Sequence, residues 1–115
     1  MLLIRRSISS SQTGVAASLL PGVLGVLGNH DWWHDPARTR EAFERAAIPL
    51  IDNTRLFLDL ARRIVPDPPA DGLCLAGVGD YWEDQTLFDH ALGGVVEGMP
   101  RLLLSHNPDV AEDTR

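Results

Sequence analysis

Apolar residues along this chain fall into short unbroken runs, separated by polar breaks rich in Gly and Pro. That pattern predicts buried strands joined by loops, with few long helices. The runs place strands at 23–27, 48–51, 56–58 and 73–78, a short one at 64–65, and another at Arg101-Leu102-Leu103-Leu104. Asp35-Pro36 marks a helix start, Asp as the cap and Pro where a missing N–H costs nothing. The helix that follows, about 37–47, sets Ala42, Phe43, Ala46 and Ala47 on one face and its Arg and Glu residues on the other. A second helix is expected from a Thr86 cap to about Leu92, closed by Gly93-Gly94. Residues 1–13 are Ser-rich and aperiodic and read as an unstructured or poorly packed lead-in, and 15–20 as a last helical turn broken by Pro21-Gly22. The order β, α, β, β, β, α, β is an α/β class with a mixed sheet, and no repeat or internal domain boundary interrupts 14–115.

Composition narrows the picture. A length of 115 residues suits one small domain or a piece of a larger one. Ten basic residues, all Arg, against 16 acidic ones give a net charge of −6, so a nucleic-acid footprint is not expected. An acidic protein that handles phosphate needs metal cations to offset repulsion. Cys74 stands alone in an apolar run and reads as a buried core thiol, without any disulfide framework. No stretch approaches the length of a membrane span. Arg5-Arg6 ahead of small apolar residues loosely suggests export, but the most apolar part runs straight into the first polar loop. The compartment stays open on this reading, with a cytoplasmic setting favoured over export.

Two loops at the ends of predicted strands carry the chemistry. Gly28-Asn29-His30-Asp31 offers an amide, an imidazole and a carboxylate in succession, and Ser105-His106-Asn107-Pro108-Asp109 offers another imidazole. Ligands collect at strand ends in open α/β sheets, and parallel neighbouring strands would bring these loops together. Asn29 and His106 could then share one ion, an N/O pair suited to Mn, Fe or Zn, with His30 left free as an acid. Each residue also has a plainer role open to it: Asn29 as a turn former, His30 bonded to loop backbone, His106 opening the segment before Pro108. His34, four residues after His30, reads as a loop residue at the cleft mouth that could touch substrate. Trp32 and Trp33 would pack this loop, His90 would lie on the surface, Asp80 would hold a turn, and Glu83 and Asp84 would be a solvated pair.

Those two loops resemble the third and fourth motifs of calcineurin-like metallophosphoesterases. The likeness is closest to the bacterial membrane-associated phosphohydrolase branch that includes the YkuE-like enzymes, and Leu75-Ala76-Gly77-Val78-Gly79-Asp80 looks like that branch too. The resemblance implies a partial metallophosphoesterase sandwich, a mixed sheet flanked by helices. It also implies two divalent metals, with Asn29 and His106 as ligands of the second. His30 would contact the scissile phosphate and protonate the leaving oxygen, and Asp31 would support the loop. Substrates would be phosphomonoesters, phosphodiesters or a lipid pyrophosphate.

The departures from that family are equally clear. Its Asp-x-His and Gly-Asp-x-x-Asp motifs should precede Gly28, its Gly-His-x-His should follow His106, and none is found. The chain thus resembles a fragment with two of five motifs, at most one partial metal site, and open sheet edges prone to self-association. A catalytically dead remnant serving as a binding or interaction module is the alternative.

Overall fold

The computed structural model describes residues 2–5 and 22–113. The helical turn expected at 15–20 lies outside them, as does most of the lead-in. The backbone of 2–5 departs from the unstructured expectation: it forms β1 (Leu2–Arg5), antiparallel to β2 (Val23–Val26), with Ile4 opposite Leu24.

A mixed four-stranded sheet organises the remainder in the order β4-β3-β5-β6. Its strands are β3 (Thr54–Asp59), β4 (Ile64–Val65), β5 (Gly72–Gly77) and β6 (Arg101–Leu104). β3 pairs antiparallel with β4 and β5, and β5 pairs parallel with β6, placing Leu75 between Leu56 and Leu102. The unbroken apolar run of β5 follows from burial on both faces. Leu75 packs with Leu24, Val26, Ile51, Ile64 and Leu104 on one side. Cys74 and Ala76 pack on the other with Phe57, Val78, Ala91 and Val110. The second face is covered by α3 (Phe88–Leu92) and α4 (Val110–Asp113), the first by β2 and Ile51. The molecule is thus mixed α/β. The outer strands of this sheet are β4 and β6, and Leu102 on β6 is exposed.

Several local expectations are corrected. The strand at 48–51 contracts to one parallel bridge, Gly25 with Leu50, because Pro49 has no N–H to extend the ladder. The bridge is held by Gly25 N–H donating to the Pro49 carbonyl (3.0 Å) and Ile51 N–H to the Gly25 carbonyl (2.9 Å). In α2 (Pro36–Arg45) Asp35 caps as expected, its carboxylate accepting from Arg38 N–H at 3.0 Å. Only Phe43 of its apolar face is buried; Ala42, Ala46 and Ala47 are exposed, and Ala47 turns the chain with φ of +55°. Leu87, and not Thr86, caps α3. The predicted loop after β2 is a six-residue helix, α1 (Asn29–His34).

Candidate functional site

The first strand tip is set by two carboxylates. Leu27, fully buried, gives its N–H to Asp52 Oδ1 at 2.9 Å, ending the strand against the turn at 52–53. Gly28 gives its N–H to Asp31 Oδ2 at 2.8 Å, and its carbonyl accepts from Asp31 (3.1 Å) and Trp32 (3.3 Å). Asp31 therefore caps α1 from within, as in half of a capping box. Asn29 becomes the first helical residue at the carboxyl end of β2.

The second tip follows β6. Ser105 Oγ donates to the Asn107 carbonyl at 2.9 Å and accepts from its N–H at 3.2 Å, and Asp109 N–H donates to Asn107 Oδ1 at 2.9 Å. These local bonds fix a tight turn, and His106 projects from it.

The tips meet. Asn29 Oδ1 and His106 Nε2 are 3.1 Å apart, across 77 residues of sequence. β2 and β6 are not ladder neighbours, contrary to the expectation from parallel pairing. Convergence comes instead through close approaches of backbone. A Cβ at Gly77 would run into the Ile51 carbonyl and Val26, so glycine lets the β2 layer seat directly on β5. A Cβ at Gly28 would stand 2.7 Å from Cγ and Nδ1 of His106, so glycine there lets the imidazole lie against the turn.

The chemistry of the pair depends on one proton. With hydrogen on Nε2, the imidazole donates to the amide oxygen; with the hydrogen on Nδ1, both atoms present lone pairs to a shared cation. Two ligands about 2.1 Å from one ion and at right angles stand about 3.0 Å apart, so the observed 3.1 Å fits two adjacent positions of a coordination shell. The fit stops there. Among the described residues, no group of three or more His, Cys, Asp or Glu is assembled to hold a metal. The two residues suit one edge of one ion.

Beside the pair lies an open hollow of about 320 Å³, lined by Asn29, Trp82, His106, Asn107, Pro108 and Asp109. Among these lining residues there is no Lys or Arg, and Asp109 is the one carboxylate. His30 and His34 are one turn apart on α1, and both are exposed. His34 is the last helical residue and not a loop residue. His30 packs its ring against Trp33, centroids 4.7 Å apart. Neither histidine lines the hollow with Asn29 and His106 among the described residues.

Sequence reasoning missed the residues that hold these loops. Asn53 accepts at Oδ1 from the N–H groups of Gly79 and Leu87, both at 2.9 Å, and donates from Nδ2 to the Gln85 carbonyl at 2.8 Å. Glu83 is not simply solvated: it accepts from Trp33 Nε1 at 2.8 Å and ties α1 to the loop after β5. Asp80 is fully buried in its expected turn, Oδ2 accepting from Trp82 (3.1 Å) and Glu83 (3.0 Å). Burial raises the Asp52 carboxyl above the ordinary carboxylate range, against the opposing pull of the Leu27 N–H and Arg40. His90 is on the surface, and Cys74 is buried with its thiol pushed up by desolvation. No protein family matches this sequence, and neither does any curated protein or solved structure.

Proposed function

We propose that this chain carries part of a metal-dependent phosphoesterase centre, built on a partial metallophosphoesterase sandwich. The substrate class is a phosphomonoester, a phosphodiester or a lipid pyrophosphate. The observation that supports the reading is the 3.1 Å approach of Asn29 Oδ1 to His106 Nε2, from strand tips far apart in sequence, beside a hollow. In this reading the amide oxygen and the imidazole lone pair hold a divalent ion (Mn, Fe or Zn), and Gly28 keeps the ring in place. Asp31 keeps α1 seated through the Gly28 N–H, so His30 is presented from a fixed turn. His30 is the proton donor to the departing ester oxygen in this reading, and the substrate must extend past the hollow to reach it, because His30 does not border the hollow among the described residues. A divalent ion, when bound, supplies neutralisation of phosphoryl charge and acidification of water. The two ligands, Asn29 and His106, carry no negative charge to offset a dication, so weak affinity for Mn²⁺ is expected.

The alternative, a binding module without catalysis, is favoured by one observation: among the described residues no cluster of three or more His, Cys, Asp or Glu is present. Two measurements decide. Titration calorimetry with Mn²⁺ should give weak heats that vanish in Asn29→Ala and His106→Ala; heats unchanged in both variants would remove the metal reading. Hydrolysis of a chromogenic bis-phosphodiester with Mn²⁺, lost in His30→Ala, supports catalysis. Binding without turnover leaves the module.

A further inference from the structure

Trp82 is the largest side chain bordering the Asn29–His106 hollow, and it is 66% exposed. It is nonetheless delivered from a rigid turn. Its own N–H and that of Glu83 are held by the carboxylate of Asp80, which has no exposed surface. Tyr81 braces the indole edge-on, ring centroids 5.6 Å apart. Trp33 is a useful contrast: it is 58% exposed, its indole N–H is bonded to Glu83, and it does not border the hollow among the described residues. Exposure alone is common for one aromatic residue and explains nothing. An exposed indole on a braced turn, beside a polar donor pair, is different.

The charge of the hollow sharpens the point. Its described lining offers no Lys or Arg to a phosphate and places the Asp109 carboxylate nearby. Affinity for a phosphate ester then leans on the Asn29–His106 pair, with any cation it holds, and on the organic portion. Pro108 is the other apolar contributor, and the indole of Trp82 is the broad flat one. The hollow's volume of about 320 Å³ is at the low end for small-molecule sites, which run from about 300 to 1,000 Å³. That is room enough for a phosphoryl group and one ring.

We propose that Trp82 is a substrate-positioning residue: its indole stacks on a planar ring in the alcohol portion of a phosphate ester whose phosphoryl group is directed at Asn29 and His106. The favoured class is thus an aryl or heteroaryl phosphate. This rests on the phosphoester reading above. Stacking of a base on an aromatic side chain contributes about 1–3 kcal/mol, so a ring-bearing ester should bind about tenfold more tightly than a ringless one.

The test uses the intact chain with Mn²⁺, following amide and indole N–H resonances while phenyl phosphate, methyl phosphate or inorganic phosphate is added. In the wild type, phenyl phosphate should bind about tenfold more tightly than methyl phosphate and shift the Trp82 indole resonance. Trp82→Ala should erase that preference and leave affinity for inorganic phosphate unchanged; Trp82→Phe should restore most of it. Equal affinities for phenyl and methyl phosphate in the wild type would overturn the stacking role while leaving the phosphoester site intact. Failure of all three ligands to shift Asn29 or His106 would overturn the site, and the stacking role with it.

Discussion

Two asparagines follow apolar segments in this chain, and the fold uses them differently. Asn53 adopts a φ of +55° and spends its side chain on backbone: two N–H groups at Oδ1 and one carbonyl at Nδ2. It joins the turn before β3 to the loop after β5. Asn29 instead turns its amide oxygen to an imidazole on another strand tip, at the rim of an open hollow. An amide saturated by backbone is a fastener, whereas one that meets a titratable ring at the surface can exchange that partner for a ligand. Residue type does not separate the two roles. The partner does.

Substitutions should sort along that division. Asn53→Ala removes an acceptor for two N–H groups, and alanine is strained at positive φ; the loss should be about 2–4 kcal/mol of stability, read by urea unfolding. Asp52→Ala leaves the buried Leu27 N–H without its acceptor and should cost about 1–3 kcal/mol. Its pH dependence has a definite sign. The folded carboxyl is raised above its ordinary 3.8, so the folded state holds that proton more tightly than the unfolded one. The stabilisation that Asp52 provides is therefore greatest near and below pH 3.8 and declines as pH rises through the raised folded value. The gap between wild type and variant should narrow over that window; a widening gap would show the sign to be wrong.

The smallest stability effects, with the largest effect on ligand, belong to the tip. Gly28→Ala pushes a methyl group toward an exposed imidazole that can rotate away, so stability should fall by about 1 kcal/mol. Asn29→Ala should cost less than about 0.5 kcal/mol. Both should abolish the Mn²⁺ heats, Gly28→Ala by displacing one ligand and Asn29→Ala by deleting the other. If Asn29→Ala destabilised the chain as strongly as Asn53→Ala, the distinction between fastener and ligand would collapse.

What the sequence discloses follows the range of the forces involved. The double-sided burial of β5 is written in its continuous apolar run, and the start of α2 in Asp35-Pro36, because both depend on neighbours in sequence. The meeting of positions 29 and 106 is legible in their residue types at strand ends, although it comes through the seating of β2 on β5 and not through pairing of β2 with β6. Short helix α1 carries no apolar periodicity; its signal was Asp31, whose carboxylate reaches back three residues to the Gly28 N–H. Pro49 could have warned that 48–51 would not sustain a ladder. Asn53 gave no such warning, since its partners lie 26, 32 and 34 residues away. Asp52 serves Leu27 across 25 residues, equally invisible to local pattern.

Cys74 has a practical consequence of its own. Its sulfur is sealed between β3, β6 and the α3 layer, and desolvation keeps it in the unreactive thiol form. An alkylating reagent can reach it only when the central strand parts from its neighbours. The chain thus contains a single built-in clock for the opening of its sheet, readable by mass spectrometry without any added label.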